Sequence, residues 1–204
     1  MKYYSYVVRR DFGFAPNPFN GMCTLATCKP NIRKHAKIGD WIFGTGSVAL
    51  KCQHYLIYAM KVTDKITFDE YWSNKEYICK KPVMNGSLKT MYGDNIYHKD
   101  NDGNWLQADS HHSYDNGEQN TYNLKRDTGE TDSVLISKEF YYFGENKVLI
   151  PNSLKSDICK KGPGLKHVDS NVSKKLIEWF KKDFESGYLG DPIQFEEFDR
   201  YDGK

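Results

Sequence analysis

An α+β fold around a small, mostly antiparallel β-barrel is the architecture this sequence predicts. Strand-like runs rich in Tyr, Val and Ile recur between short helical patterns. A long polar stretch, residues 79–133, interrupts them, and one amphipathic helix stands near the C-terminus. At 204 residues the chain has the length of a single domain, here 1–204.

Residues 3–9, YYSYVVR, form the first expected strand, because they are aromatic and β-branched and contain no breaker. A long loop then runs to about Lys37, with three prolines and two cysteines in GFAPNPFNGMCTLATCKP. IGDWIFGT reads as a short strand entered through a Gly-Asp turn. The run 54–66 reads as one strand, with Leu56, Tyr58, Met60 and Val62 on one face. A short helix should follow, since Thr67 and Glu70 have the spacing of a capping box.

Residues 79–133 are rich in Asn, Asp, Gly and Lys, yet Tyr92, Tyr97, Trp105, Tyr114 and Tyr122 are too frequent for a disordered linker. The expectation is an ordered insertion lying over the barrel. SVLISKEFYYFGENKVLIP (133–151) is strand-like at both ends around a turn. The long helix is expected over 172–186, with Leu176, Ile177, Phe180 and Phe184 inward, Ser170 or Asn171 as cap and Gly187 at its end. The tail 196–204 is expected to be mobile.

Composition narrows the function classes. Hydrophobic residues at 39% and aromatics at 15% can supply a core, which excludes global disorder. A formal net charge of only +2 argues against holding duplex nucleic acid chiefly by phosphate neutralisation, so contact with nucleic acid is local or the ligand is small. No apolar run reaches the ~18 residues of a membrane span, and there is no signal-peptide core. Cys23, Cys28, Cys52, Cys79 and Cys159 are odd in number and scattered, which fits reduced thiols in a cytoplasm and buried small hydrophobes. Cys23 and Cys28 could begin a zinc site, but no second close pair follows, and neither metal nor cofactor is expected.

RRDFGFAPNPFNGMCTLATCKPNIRKHAKIGDWIFGTGS resembles the second of the families called nucleotide modification associated domains. GDNIYH, SHHS and VLISKEFYYFG are similar to further motifs of that family, in the same order, over roughly residues 3–165. The resemblance implies an association with DNA-base modification, in bacteria or phage. In layout, KIGDWIFGTGS followed by LIYAMKVTDKITFDEYW is also similar to PUA-like domains of the EVE and ASCH kind, which hold a modified base in the cleft of a small barrel.

A base pocket needs flat apolar walls and a few donors and acceptors at the ring edge. Phe14, Phe19 and Trp41 are candidate walls, and Asn17 carries donor and acceptor side by side. Thr24, Thr45 and Ser47 are hydroxyls near glycines, where backbone can approach a ligand. Arg9, Lys29 and Arg33 are candidate phosphate contacts, Arg33 foremost because it lies inside the family-like block. Tyr142 in FYYFG is a candidate stacking ring, and GDNIYH adds Asp94 and Asn95. For the rings the competing assignment is core, and for the cations a solvated face.

Asp94 and His111 could act as an acid–base pair. DNDG at 100–103 starts like a calcium loop, but His111 stands where its last Glu is required. No zinc-deaminase signature, P-loop or G-x-S-x-G elbow is present. The first reading is therefore a module that binds a modified base or nucleotide, free or within nucleic acid, linked to DNA modification or to phage–host defence. The alternative is an enzyme acting on a nucleotide or base through Asp94 and His111. No membrane partner is expected, and the oligomeric state is left open.

Overall fold

The computed structural model describes residues 1–162 and 164–203. The first strand, β1, is Tyr3–Val7, and the loop after it contains a short strand, β2 (Cys23–Leu25), and a helix, α1 (Pro30–His35). β3 is Trp41–Thr45. The expected single strand over 54–66 is instead two, β4 (Tyr55–Lys61) and β5 (Asp64–Ile66). The chain leaves the first sheet after β4 and joins a second. The capping-box helix, α2 (Phe68–Ser73), forms as expected, with Thr67 Oγ1 accepting from Glu70 N at 3.2 Å and the Glu70 carboxylate accepting from Thr67 N at 2.7 Å.

The polar stretch 79–133 carries regular elements. It holds a 3₁₀ turn (Lys75–Lys80, beginning just before it), α3 (Leu88–Met91), β6 (Tyr97–Lys99), β7 (Trp105–Gln107) and α4 (Thr121–Thr128). The chain continues through β8 (Val134–Ser137), β9 (Glu139–Tyr142), β10 (Val148–Leu149), α5 (Asn152–Ile158) and β11 (Leu165–His167). It ends with α6 (Ser170–Asp183) and β12 (Gly187–Tyr188). The cap of α6 is Asp169 rather than Ser170 or Asn171: its carboxylate accepts from Asn171 N at 2.8 Å and Val172 N at 3.2 Å.

Among the described residues the main sheet runs β11-β1-β3-β4-β9-β12, with β10 also on β4. β1 pairs with β3, and β12 with β9, in parallel; the other pairs are antiparallel. β2-β8-β5 is a separate sheet, and β6 and β7 form a two-stranded ribbon. The fold is thus α+β with mixed sheets, and no closed barrel is found among the described residues. Among the described residues β11 and β12 are the two ends of the main sheet, and β2, β8 and β5 form a second layer.

Side-chain alternation sets that layering. Tyr4, Tyr6 and Val8 join Ile42, Tyr58 and Met60 and meet Cys23, Leu25 and Leu135 of the second sheet. Tyr3, Phe43, Ala59 and Tyr141 face the other way, onto Leu154, Ile158, Leu176 and Phe180 of α5 and α6. The far side of the second sheet, through Val134 and Ile136, packs on Phe68, Tyr71, Tyr92 and Tyr97. The order is helices, main sheet, small sheet, insertion.

One expectation about β4 changes for a definable reason. The register slips between Gly44↔Tyr58 and Thr45↔Leu56, so Ile57 is the extra residue of a bulge. A one-residue slip exchanges faces. Ile57 therefore joins Tyr58 and Met60, while Leu56 turns to the α6 side.

Leu176 and Phe180 are fully buried against Phe43 and Tyr141. Leu176→Ala or Phe180→Ala should each lower unfolding free energy by about 2–5 kcal/mol, the usual cost of a large-to-small change in a core. Urea denaturation checks this, and wild-type stability in either variant would contradict the packing.

Candidate functional site

The loop after β1 is held at two places by buried cations. Lys80, with no exposed surface, directs its ammonium to Asn17 Oδ1 (2.6 Å) and to the carbonyls of Asn17 (3.0 Å), Phe19 (2.8 Å) and Met22 (2.9 Å). Burial pushes its pKa down to about 8. Arg33, equally buried on α1, donates Nε to the Cys28 carbonyl at 2.8 Å and Nη1 to that of Ser133 at 2.9 Å. Its Nη2 donates to the carbonyl of Asp127.

Between these clamps β2 turns sharply into α1. Cys28 (φ 56°) and Lys29 (φ 41°) both occupy the left-handed region, which costs a non-glycine residue roughly 1–3 kcal/mol. Pro30, first residue of α1, already disfavours the right-handed helical region for Lys29. The turn places Cys28 in the wall of a cleft of about 300 Å³, beside β1.

The Cys28 sulfur lies 3.9 Å from His112 Nε2. On the other side of the ring, His112 Nδ1 is 3.0 Å from Asp127 Oδ2. Asp127 is fully buried on α4 and accepts further bonds from Cys28 N (2.9 Å), Tyr97 OH (3.0 Å) and Arg126 Nε (3.0 Å). Arg126 Nη2 approaches both His112 nitrogens at 3.3 and 3.4 Å and the Cys28 sulfur at 3.9 Å. Gln107 Nε2 and Asn123 Nδ2 fix the His112 backbone, each donating to its carbonyl at 3.0 Å.

These contacts set the protonation of the cluster. Burial opposes the charged form of each group, yet the His112 hydrogen bond and the His112 and Arg126 charges hold the Asp127 carboxyl far below its ordinary range. Against the same burial penalty, the Asp127 bond and charge raise the His112 pKa above its ordinary value. Burial raises the Cys28 thiol, but the His112 bond, with the His112 and Arg126 charges, brings the net below the usual thiol value. Cys23, five residues away, has burial as its main influence and is pushed up.

Rings and cations complete the cleft. Phe12, Phe14, Tyr6, His111 and Tyr201 are its aromatic walls, and Arg9, Arg10 and Lys29 its cations. Phe14 packs edge-on against both His111 (4.9 Å between centroids) and His112 (4.6 Å). His111 donates Nδ1–H to the Asp199 carbonyl at 2.6 Å, and burial followed by the His112 charge pushes its pKa down to about 3. Tyr201 is seated by its N–H to the His111 carbonyl (2.7 Å) and by Asn123 Nδ2 to its own carbonyl (2.7 Å). The tail segment that carries it therefore lies over the cleft. A second cleft of about 410 Å³ shares Arg10, Phe12 and Tyr201 and adds Arg200.

Of the residues singled out in the sequence, the structure brings Arg9, Phe14, Lys29 and His111 to the first cleft. Asn17 donates to the Tyr92 carbonyl at 2.9 Å and accepts from Lys80, so its amide is engaged inside the protein. Phe19 packs with Phe195 and Tyr188, and Trp41 lies on Phe180. Thr24 donates to Asp94 at 2.7 Å, Thr45 to the Tyr6 carbonyl at 3.2 Å, and Ser47 Oγ accepts from Leu50 N at 3.2 Å. Asn95 donates to the Tyr71 carbonyl at 2.7 Å, and Tyr142 to Asp11.

Arg33 spends its guanidinium on three backbone carbonyls, and no part of it faces the cleft. Asp94 accepts from Thr24 and Tyr71 (2.8 Å) and takes no part in the His111 network. The glycines of Gly-Thr-Gly-Ser are filled by the protein's own atoms: a Cβ on Gly44 would meet the Tyr58 ring at 2.2 Å, and on Gly46 the Cys52 carbonyl at 2.0 Å. Sequence reasoning missed Cys28, His112, Asp127 and Arg126 as a group. The motif SHHS and the Cys-Lys-Pro end of the loop were visible, but nothing in their spacing joins them. All five cysteines are free, and no group of metal-binding side chains occurs among the described residues.

Mixed sheets with few helices define an α+β domain, and a small cleft walled by aromatic rings and cations opens beside β1. The chain belongs to the nucleotide modification associated domain 2 family, which matches residues 1–199. No curated protein matches the chain, and no solved structure matches it either. No helix among the described residues is long and apolar enough to cross a membrane.

Arg33→Ala should cost about 3 kcal/mol or more in unfolding free energy, because it leaves buried carbonyls unsatisfied at ~1–3 kcal/mol each. A melting temperature equal to wild type would show those carbonyls to be otherwise solvated. His111 carries a pH signature. Its folded pKa of about 3 lies below the ordinary ~6.5. Between those values the unfolded chain binds a proton that the folded chain does not, so stability rises with pH and is lost as pH falls towards 3. His111→Gln should flatten that acid limb of a stability–pH curve; an unchanged slope would assign it elsewhere.

Proposed function

We propose that the cleft between β1 and the Cys28 turn binds a nucleotide or a modified base, free or within nucleic acid. The observation that carries this reading is the pairing of flat aromatic walls with three cations in about 300 Å³, a size at the lower end of small-ligand sites. Tyr201, Phe12 and Phe14 offer faces and edges for a heterocycle, and Arg9, Arg10 and Lys29 suit phosphate oxygens. Family membership supports the same class of ligand. On this reading the PUA-like layout, with Gly39 and Asp40 leading into β3, is the frame, and a role in base modification or phage–host defence is its setting.

Arg10→Ala should weaken binding by about tenfold or more, from a charge-assisted contact of ~1.5–3 kcal/mol. Tyr201→Ala should cost about 1–3 kcal/mol of stacking. Isothermal titration with free nucleotides and modified-base oligonucleotides tests both. Folded wild-type protein that stays silent across the panel would overturn the reading.

A further inference from the structure

We propose that Cys28 is a catalytic nucleophile, with His112 as its general base and Asp127 as the residue that positions the imidazole, so that the domain cleaves or transfers the acyl group of an anionic amide or ester bound in the cleft. Four observations support this independently of the ligand reading. Cys28 lies at a strained strand-to-helix turn, with two consecutive non-glycine residues at positive φ. Such a turn projects a side chain outward from a rigid base, and backbone strain of this kind concentrates at functional sites. Cys28 lines the cleft, and its sulfur lies 3.9 Å from His112 Nε2, the ring nitrogen that Asp127 does not engage. Asp127 is held in turn by five donor groups, which fixes the tautomer and orientation of the ring. Finally, Arg33 ties the carbonyls of Cys28 and Asp127 to one guanidinium, so the two ends of the relay cannot drift apart.

A purely structural cysteine would not need this arrangement. Cys23 is buried among Leu25, Tyr58 and Leu135, and burial pushes its thiol up. Cys28 has a base, an orienting carboxylate and a cleft.

In the reaction, the thiol proton resides on His112 Nε2 and the Cys28 sulfur attacks the substrate carbonyl carbon. The S–C bond forms as the carbonyl π electrons move to oxygen. The Cys28 N–H is already donated to Asp127 Oδ1, so the nearby positive charges for the substrate oxyanion are Lys29 in the cleft wall and Arg126, whose Nη2 is 3.9 Å from the Cys28 sulfur. On collapse the C–N or C–O bond breaks, and the leaving amine or alcohol takes the proton from His112. Water then attacks the thioester, giving its proton to His112 as the thiolate departs. The net change is amide or ester plus water to carboxylic acid plus amine or alcohol, with no oxidant or reductant. An acceptor amine in place of water would make the reaction a transfer.

The test uses the whole protein and needs no nucleotide. Wild type, Cys28→Ser and His112→Gln are first shown to be folded by circular dichroism. Each is then treated with p-nitrophenyl acetate, and separately with iodoacetamide across a pH series, with modified peptides resolved by mass spectrometry. Exposed Cys79 serves as the internal standard. Wild type should release a stoichiometric burst of p-nitrophenolate and carry the acetyl group on Cys28. At about pH 6, Cys28 should be alkylated about tenfold faster than Cys79, as a thiolate paired with an imidazolium would be. Cys28→Ser should abolish the burst, and His112→Gln should slow acylation about tenfold and move the alkylation inflection to higher pH. A Cys28 that neither acylates nor outpaces Cys79 overturns the proposal and reduces the cluster to a buried ion pair. The same holds if His112→Gln leaves both rates unchanged. Titrating nucleotides against Cys28→Ser separates the two readings: binding without wild-type acylation defeats the nucleophile alone, and acylation without binding defeats the nucleotide ligand alone.

Discussion

The charge on Asp127 organises this molecule. A carboxylate with no exposed surface must replace its lost hydration with donors, and removing any one of them leaves a buried charge under-satisfied. The donors come from separated parts of the chain: the Cys28 turn, Tyr97 of β6, the His112 turn and Arg126 of α4 itself. Satisfying one side chain therefore brings the opening loop and three parts of the insertion to a single point. The cleft is what remains between that point and β1.

Lys80 and Arg33 extend the same principle to the backbone. A long loop without regular structure carries many carbonyls that must find donors once it is covered. Lys80 gathers those of residues 17, 19 and 22, and Arg33 gathers that of residue 28. Each cation is in turn made tolerable by the carbonyls it collects. The proline- and glycine-rich opening is thus an internal wall fixed by charge, with β2 pinned between its two clamps. Its rigidity is what allows Cys28 and Lys29 to hold positive φ, since strain persists only where the surroundings over-determine it.

Two kinds of chemistry meet in the cleft. Phe12, Phe14 and Tyr201 with Arg9, Arg10 and Lys29 form surfaces suited to recognition, and membership of the nucleotide modification associated domain 2 family fits that use. Cys28, His112 and Asp127 form a relay suited to making and breaking a bond. The two share a wall, so a ligand held by the first would lie against the second. His111 and His112 show how closely environment decides role. Adjacent in sequence, one is kept neutral by burial and the other favours its charged form beside Asp127.

Local features were legible in the residues alone: β1 and β3 from their apolar runs, α2 from its capping box, the stripe of α6, and a polar stretch too aromatic to be a linker. These follow from interactions within a few residues, which composition and periodicity record. The sequence also carried the family motifs. Long-range packing set what no local pattern contains. A bulge at Ile57 exchanged the faces of β4, and β5 left for a second sheet where one barrel was expected. Arg33 and Asn17 looked like ligand contacts because their donors were countable in the sequence while the carbonyls awaiting them were not. Cys28 looked inert for the converse reason. Its base is 84 residues away and its orienting carboxylate 99, and only the folding of the insertion over the opening loop brings the three together.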